Sequence, residues 1–542
     1  MKKWMKVILA IAGGILVLLT AGGYYFYKTV ISQIPEQAER IVYDKERVLS
    51  PLNNQLKGIN IENIKKKEKD IVNATIDEIQ KKVDENQLSY EELVSVYLLR
   101  IKEHDQNGVS LNAITEINPD AIEEARKLDK ERTINKKSNL YGMPIIVKDN
   151  IQTADVMPTS AGTVVLKDWI ADEDAFIIKN LKRQGALILG KANMSEWANY
   201  LSNKMPSGYS GKKGQNLNPY EPLVFDTAGS SSGSATVVAA DFAPLAIGTE
   251  TVGSIVAPAS YQSVVGLRPS IGLISRTGII PLSETLDTAG PMAKTVKDVA
   301  ILLNTMVDFD EKDVMMKKVN DKETKDYTKD LLVEGLQGKK IGILFSSDQE
   351  DDMGRKDVLD KIRKDLQNAG AILTENINLN KEVVSSDLPT ILKHEFKHGI
   401  NTYLTEQKNI PVKSLKDVIE FNNKDKKRNV KYEQSLIEES ADSSIKNETL
   451  QNLVNKARIN AKKELDKYLE EKALDALVMI DNDQVILSAI AGYPELSIPA
   501  GYDSTGKPVG VTFIGKAFGE KELLKLGYAY EQQSQNRKAP HL

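Results

Sequence analysis

Cysteine is absent from all 542 residues. That excludes disulfides, thiolate metal sites, a cysteine nucleophile and lipid anchoring through an N-terminal cysteine. Histidine is nearly absent: His104, His394, His398 and His541 are the only ones. A Ser-His-Asp hydrolase needs an imidazole beside its nucleophile, and none of these lies in a motif-rich segment. Excess charge of either sign is missing too. The 72 Lys and Arg residues nearly balance the 76 Asp and Glu, for a net −4 at neutral pH, which points to no nucleic-acid partner. The short basic runs at 65–67 and 424–428 sit among acids and read as solvated helix faces.

What is present begins with an apolar run. Lys2, Lys3 and Lys6 precede an uncharged stretch from Val7 to Tyr27, and Lys28 follows it. Such a run, as a helix rising 1.5 Å per residue, spans about 31 Å, close to the roughly 30 Å of a bilayer core. Tyr24, Tyr25, Phe26 and Tyr27 suit an interfacial aromatic belt, and the leading lysines suit a cytoplasmic N-terminus. The expectation is a cytoplasmic tip over 1–6 and a single-pass transmembrane anchor over 7–27, with the catalytic body outside the cell membrane. The rival reading is a signal segment cleaved near Thr20-Ala21-Gly22, which would leave a secreted protein. Residues 28–74 are polar and read as a stalk or helical arm. The body is expected over 75–537, with a short tail at 538–542.

Within the body, Leu93, Val96, Tyr97 and Ile101 recur at helical spacing. Short apolar runs at 140–147, 186–189, 244–249, 339–345 and 476–479 read as strands. Strands alternating with helices predict an α/β fold with a large mixed sheet flanked by helices. The charged stretch from about 346 to 470 reads as a mostly helical cap.

Two turns stand out, Ala228-Gly229-Ser230-Ser231-Ser232-Gly233-Ser234 and Gly248-Thr249-Glu250-Thr251-Val252-Gly253-Ser254. A small apolar helix and a strand separate them, so both can return to the carboxyl end of one sheet, where α/β folds bind ligands. Lys148 directly follows the apolar strand Gly142-Met143-Pro144-Ile145-Ile146-Val147, a place lysine avoids unless it is paired. These segments resemble the amidase signature family. The likeness continues through Gly266-Leu267-Arg268-Pro269, the stretch at 275–281, Asp287-Thr288-Ala289-Gly290-Pro291-Met292, Ala491-Gly492-Tyr493-Pro494 and Pro508-Val509-Gly510-Val511. It is most similar to the peptide amidase branch.

The resemblance implies that Ser254 is the nucleophile, Ser230 the bridging serine after a cis Gly229–Ser230 bond, and Lys148 the base. A serine hydroxyl is a weak nucleophile until a base takes its proton, and a lysine is a base only when burial keeps it neutral. The backbone N–H groups of Thr251, Val252, Gly253 and Ser254 are the expected oxyanion hole. Val252 departs from the family's usual Gly or Asp, and a β-branched residue resists positive φ. The expected activity is hydrolysis of a carboxamide through an acyl-enzyme, on C-terminal peptide amides or related small amides. No cofactor is implied, and oligomeric state is left open.

Two other readings stand beside it. His394-Glu395-Phe396-Lys397-His398 matches the H-E-x-x-H pattern of zinc peptidases, which would want a further ligand such as Glu406 or Glu420. A surface-anchored binding protein that kept the fold and lost activity is the other, and intact Lys148, Ser230 and Ser254 speak against it.

Overall fold

The computed structural model describes residues 35–136, 138–318, 326–345 and 354–542. The expected anchor at 7–27 lies outside these. Among the described residues no helix is long and apolar enough to cross a membrane. The two longest helices among the described residues, Leu388–Glu406 and Asn447–Leu469, carry charges such as Lys393, Glu395, Lys397, Lys456, Arg458 and Lys462 along their length. The single-pass anchor and the cell-membrane location built on it are therefore corrected: no described element supports either.

The strands in chain order are β1 Ile114–Ile117, β2 Pro144–Lys148, β3 Leu187–Ala192, β4 Tyr209–Ser210, β5 Gly214–Gln215, β6 Leu245–Glu250, β7 Val265–Arg268, β8 Thr288–Ala293, β9 Lys340–Ile343, β10 Ile372–Thr374, β11 Ala476–Ile480, β12 Glu495–Tyr502 and β13 Pro508–Ile514. All but β4 and β5 join one sheet in the order β1-β3-β2-β6-β8-β7-β12-β13-β11-β9-β10. β2 runs parallel to both β3 and β6, whereas β6 and β8 are antiparallel. The sheet is thus mixed, as the alternating pattern predicts. Every residue of β2, β3 and β6 is buried. A parallel strand covered on both faces reads as an unbroken apolar run, which is how 144–147 reads.

The polar arm is not a free stalk where it is described. Its helices, Glu46–Gln55 and Ile61–Glu68, bury Val48, Leu52, Leu56 and Ile64 in the same core as β2 and β6. Residues 41–43 lie along the β4–β5 ribbon through a Val42–Gly214 bridge and the Tyr43 N–H to Lys213 carbonyl bond of 2.9 Å. Arg47 reaches Glu116 at 3.0 Å, Glu116 pairs with buried Lys212 at 3.0 Å, and Lys212 pairs with Asp149 at 3.2 Å.

β9 falls where a strand is expected, and the stretch expected as cap from about 346 begins with the helix Lys356–Asn368, packed on β10 and β12, and with β10 itself, which joins the sheet. The helical excursion then runs from Glu382 to Leu469 and rejoins the sheet at β11. Its helix Leu388–Glu406, called here the cap helix, packs Phe396, Ile400, Tyr403 and Leu404 against Trp169, Trp197 and Tyr200.

Candidate active site

β2 ends in Lys148 and the adjacent parallel β6 ends in Glu250, so both deliver their last residues to the same edge. Between them the chain enters the helix Ser232–Ala239 through the serine turn. Gly233 is required there: a Cβ on it would meet the Asn193 carbonyl oxygen at 2.3 Å and its nitrogen at 2.8 Å. That backbone approach holds the serines against the sheet.

Lys148 is wholly buried. Its Nζ lies 2.8 Å from Ser230 Oγ, 2.9 Å from Ser231 Oγ and 2.9 Å from the Thr249 carbonyl oxygen. The Gly229–Ser230 peptide is cis. Burial pushes the Lys148 ammonium down to about 7, opposed by the negative charges of Asp287 and Glu250. Nothing local in the sequence marks Ser231 as a site residue. Its hydroxyl donates to the Thr249 carbonyl at 3.0 Å and accepts from the Thr249 N–H at 3.2 Å.

Ser254 is joined to this cluster through backbone, its carbonyl accepting from the Ser231 N–H at 3.1 Å. Its side chain makes no hydrogen bond among the described residues, and a Ser230–Ser254 side-chain bond is not formed. The turn around Ser254 is fixed by Glu250. That carboxylate accepts from the N–H groups of Gly253 at 2.8 Å, Ile255 at 2.6 Å and Val256 at 3.1 Å. Buried Arg268 backs Glu250 at 3.3 Å and donates to the Thr251 carbonyl at 2.9 Å.

The oxyanion expectation is altered by this. The Gly253 N–H is committed to Glu250, while those of Thr251, Val252 and Ser254 have no partner among the described residues. Three donors, not four, remain available. Val252 costs nothing in geometry, because the positive φ of the turn, 81°, falls on Gly253 instead.

A cleft of about 630 Å3 opens at this edge. Thr249, Thr251 and Asp287 lie in its floor, and His398, Tyr403 and Glu406 of the cap helix form one wall. The H-E-x-x-H segment does other work. Buried Glu395 accepts from the hydroxyls of Ser283 and Thr285, the latter at 2.9 Å, and His394 Nε2 lies 3.3 Å from Asn447 Oδ1. Among the described residues no group of three His, Asp or Glu side chains is arranged to hold a metal.

Comparison with known proteins gives the family. The family model described as Amidase matches residues 92–480. The crystal structure of an amidase family protein from Bacillus anthracis is 69% identical with a TM-score of 0.92, over 94% of this chain and 100% of that one. The native peptide amidase of Stenotrophomonas maltophilia is 37% identical with a TM-score of 0.82, over 86% of this chain and 98% of that one. A probable amidase of Arabidopsis thaliana is 37% identical over 481 residues, 87% of this chain and 92% of its own length. By the family match, the relatives along nearly the whole body and the shared fold, this chain belongs to the amidase signature family and is an amide hydrolase.

Proposed function

We propose that the enzyme hydrolyses carboxamides through Ser254 as nucleophile, Ser230 as proton relay and Lys148 as base. The observation that carries the reading is a wholly buried lysine, lowered to about 7, bonded to Ser230 in the cis turn.

The hydrogen bonds support a direction for the proton. A neutral lysine has two N–H donors and one lone pair. The Thr249 carbonyl can only accept, so it takes one N–H. Ser231 spends its own proton on the same carbonyl, so its oxygen accepts the other. The lone pair is left for the Ser230 O–H at 2.8 Å. Ser230 oxygen can then accept from Ser254 as Ser254 Oγ attacks the substrate carbonyl. The negative charge that forms on the substrate oxygen is met by the N–H groups of Thr251, Val252 and Ser254, where losing one donor costs on the order of 100-fold or more. The proton returns by the same path to the leaving amine. Water then repeats the sequence on the acyl-enzyme.

The cleft sets the hydrogen-bonding groups of Tyr403, Gln152, Asp287 and Glu406 beside apolar Ile279, Ile280, Leu282 and Val314, which suits an acyl group with both polar and apolar parts, as a peptide has. That supports C-terminal amides of peptides or related small polar amides as substrates, in line with the solved relative named as a peptide amidase. The test is ammonia release from a C-terminally amidated dipeptide by wild type and Ser254→Ala. A folded Ser254→Ala enzyme that keeps more than about a thousandth of kcat/KM removes Ser254 from its role.

A further inference from the structure

We propose that Asp287 is a positioning residue of the hydrolytic site, tying the oxyanion turn at Thr251 to the cleft wall that the cap helix holds through Glu395. The contacts form an unbroken chain. Glu395 accepts from the hydroxyls of Ser283 and Thr285 and from the Thr285 N–H at 3.3 Å. Those residues belong to the loop at 281–287 that lines the cleft. Asp287 Oδ2 closes that loop on itself, accepting from the N–H groups of Leu282 at 2.7 Å and Ser283 at 2.9 Å. Its other oxygen, Oδ1, accepts from the Thr251 hydroxyl at 2.6 Å. Thr251 in turn presents one of the three unpartnered N–H groups of the turn, and its carbonyl is held by Arg268 at 2.9 Å.

The arrangement has a functional rather than merely structural sense because of what Thr251 lacks. Its backbone N–H has no partner among the described residues, so its direction is set by what grips the rest of the residue. Arg268 grips the carbonyl from behind and Asp287 the side chain from the cleft side. A donor that is fixed before the reaction spends no energy on reorganising when charge appears on the substrate oxygen. Asp287 is also the foremost negative charge acting on Lys148, opposing the effect of burial there.

Other charged groups face the same region. Arg276 approaches Asp287 but is bound by Asp313 at 2.7 Å, with Glu284 beside it. Glu250 stands on β6, His398 on the cap helix lines the cleft, and Arg458 of the helix Asn447–Leu469 donates to the Thr285 carbonyl at 3.0 Å. Glu395 itself feels Asp287 as a like charge, with its own carboxyl raised chiefly by burial.

Two substitutions test this on a primary amide, with kcat, KM and the pH profile measured for each. Asp287→Asn keeps the size and an acceptor but removes the charge. Thr251→Val removes only the hydroxyl and keeps the backbone donor. Both are expected to lower kcat by about tenfold or more while KM stays within about threefold, the mark of an interaction made chiefly in the transition state. Asp287→Asn should also move the acidic limb of the profile to lower pH, by about half a unit or more, since one negative charge near Lys148 is gone. Losses carried by KM, a limb that stays in place, or an unchanged kcat in Thr251→Val overturn the proposal. If Asp287→Asn does not fold, Thr251→Val decides by its kcat alone. The inference rests on the proposed mechanism for two things, Lys148 as base for the limb and Ser254 as nucleophile for the turn at Thr251. A Lys148→Arg enzyme measured alongside keeps the failures apart: if it is active, Lys148 is not the base, the limb no longer bears on Asp287, and the kcat and KM comparison alone judges it.

Discussion

Replacing Lys148 by arginine separates its role as a base from its role as a charge. The wild-type lysine is lowered from the ordinary 10.5 to about 7. At 1.36 kcal/mol per pH unit, that corresponds to about 5 kcal/mol against the buried ammonium. At pH 7 about half of the molecules then hold a neutral amine, against roughly one in three thousand for an unperturbed lysine. Below pH 7 kcat/KM should fall about tenfold per unit, and above it the profile should level off. Arginine stays protonated at any working pH and cannot accept the proton of Ser230. Initial rates of ammonia release between pH 5 and 9 read this directly. Lys148→Arg should lose at least about a thousandfold of kcat/KM. A Lys148→Arg enzyme with a wild-type profile, or a wild-type limb lying near pH 4, would falsify the assignment of Lys148 as the base. The same depression makes a stability statement. The unfolded chain binds the proton more tightly, so stability should rise with pH between about 7 and 10.5 and carry the full cost below 7. Lys148→Met should lack that slope and gain in Tm relative to wild type as pH falls towards 7.

Further outcomes follow from other contacts. Gly233→Ala should lower Tm and activity together, because its Cβ would collide with the Asn193 backbone at 2.3 Å. Circular-dichroism melting and ammonia release check both, and a stable variant would mean that the backbone there can give way. Glu250→Gln replaces an acceptor-only carboxylate that holds three N–H groups around Ser254. It should cut kcat by about 10- to 100-fold with the fold retained, as steady-state kinetics would show. A chelator should leave activity intact, since the Glu395 carboxylate is taken up by the Ser283 and Thr285 hydroxyls and no three His, Asp or Glu side chains among the described residues are arranged to hold a metal. Inactivation by chelation with stoichiometric zinc in elemental analysis would restore the H-E-x-x-H reading.

The parts of the site that could be read in the sequence are those with a local signature. Lys148 after an apolar run, the serine turn and Ser254 after glycine all announce themselves within a few residues, and the sheet follows from the alternation of short apolar runs with helices. The parts that could not be read depend on distant partners. Ser231 is one serine among three until Thr249 gives its hydroxyl a direction. Gly253 looks like an oxyanion donor until Glu250 takes its N–H. Asp287 meets Thr251 36 positions away, which no local pattern signals. Val48, Leu52 and Leu56 are spaced by four in a polar background, a narrow stripe easily taken for a solvated arm, yet all are buried. The apolar run at 7–27 had the opposite effect: its strong signature fixed an anchor that no described helix supports.

The helical excursion from Glu382 to Leu469 has a bearing on how new specificity could be engineered. It leaves the sheet after β10 and returns at β11, and both strands pair with β9. Closing a long loop costs only slightly more than closing a short one, so this stretch can be exchanged as a cassette while β2, β6, the serine turn between them and the Ser254 turn after β6 stay untouched. A transplanted cap would bring a new cleft wall to an unchanged proton path. The groups that hold the 281–287 loop have to travel with it, though, Arg458 on the Thr285 carbonyl among them. The carboxylate at Glu395 is the clasp by which the cassette grips Ser283 and Thr285. A donor segment without an acidic side chain there would deliver a different pocket shape on a hinge left undone.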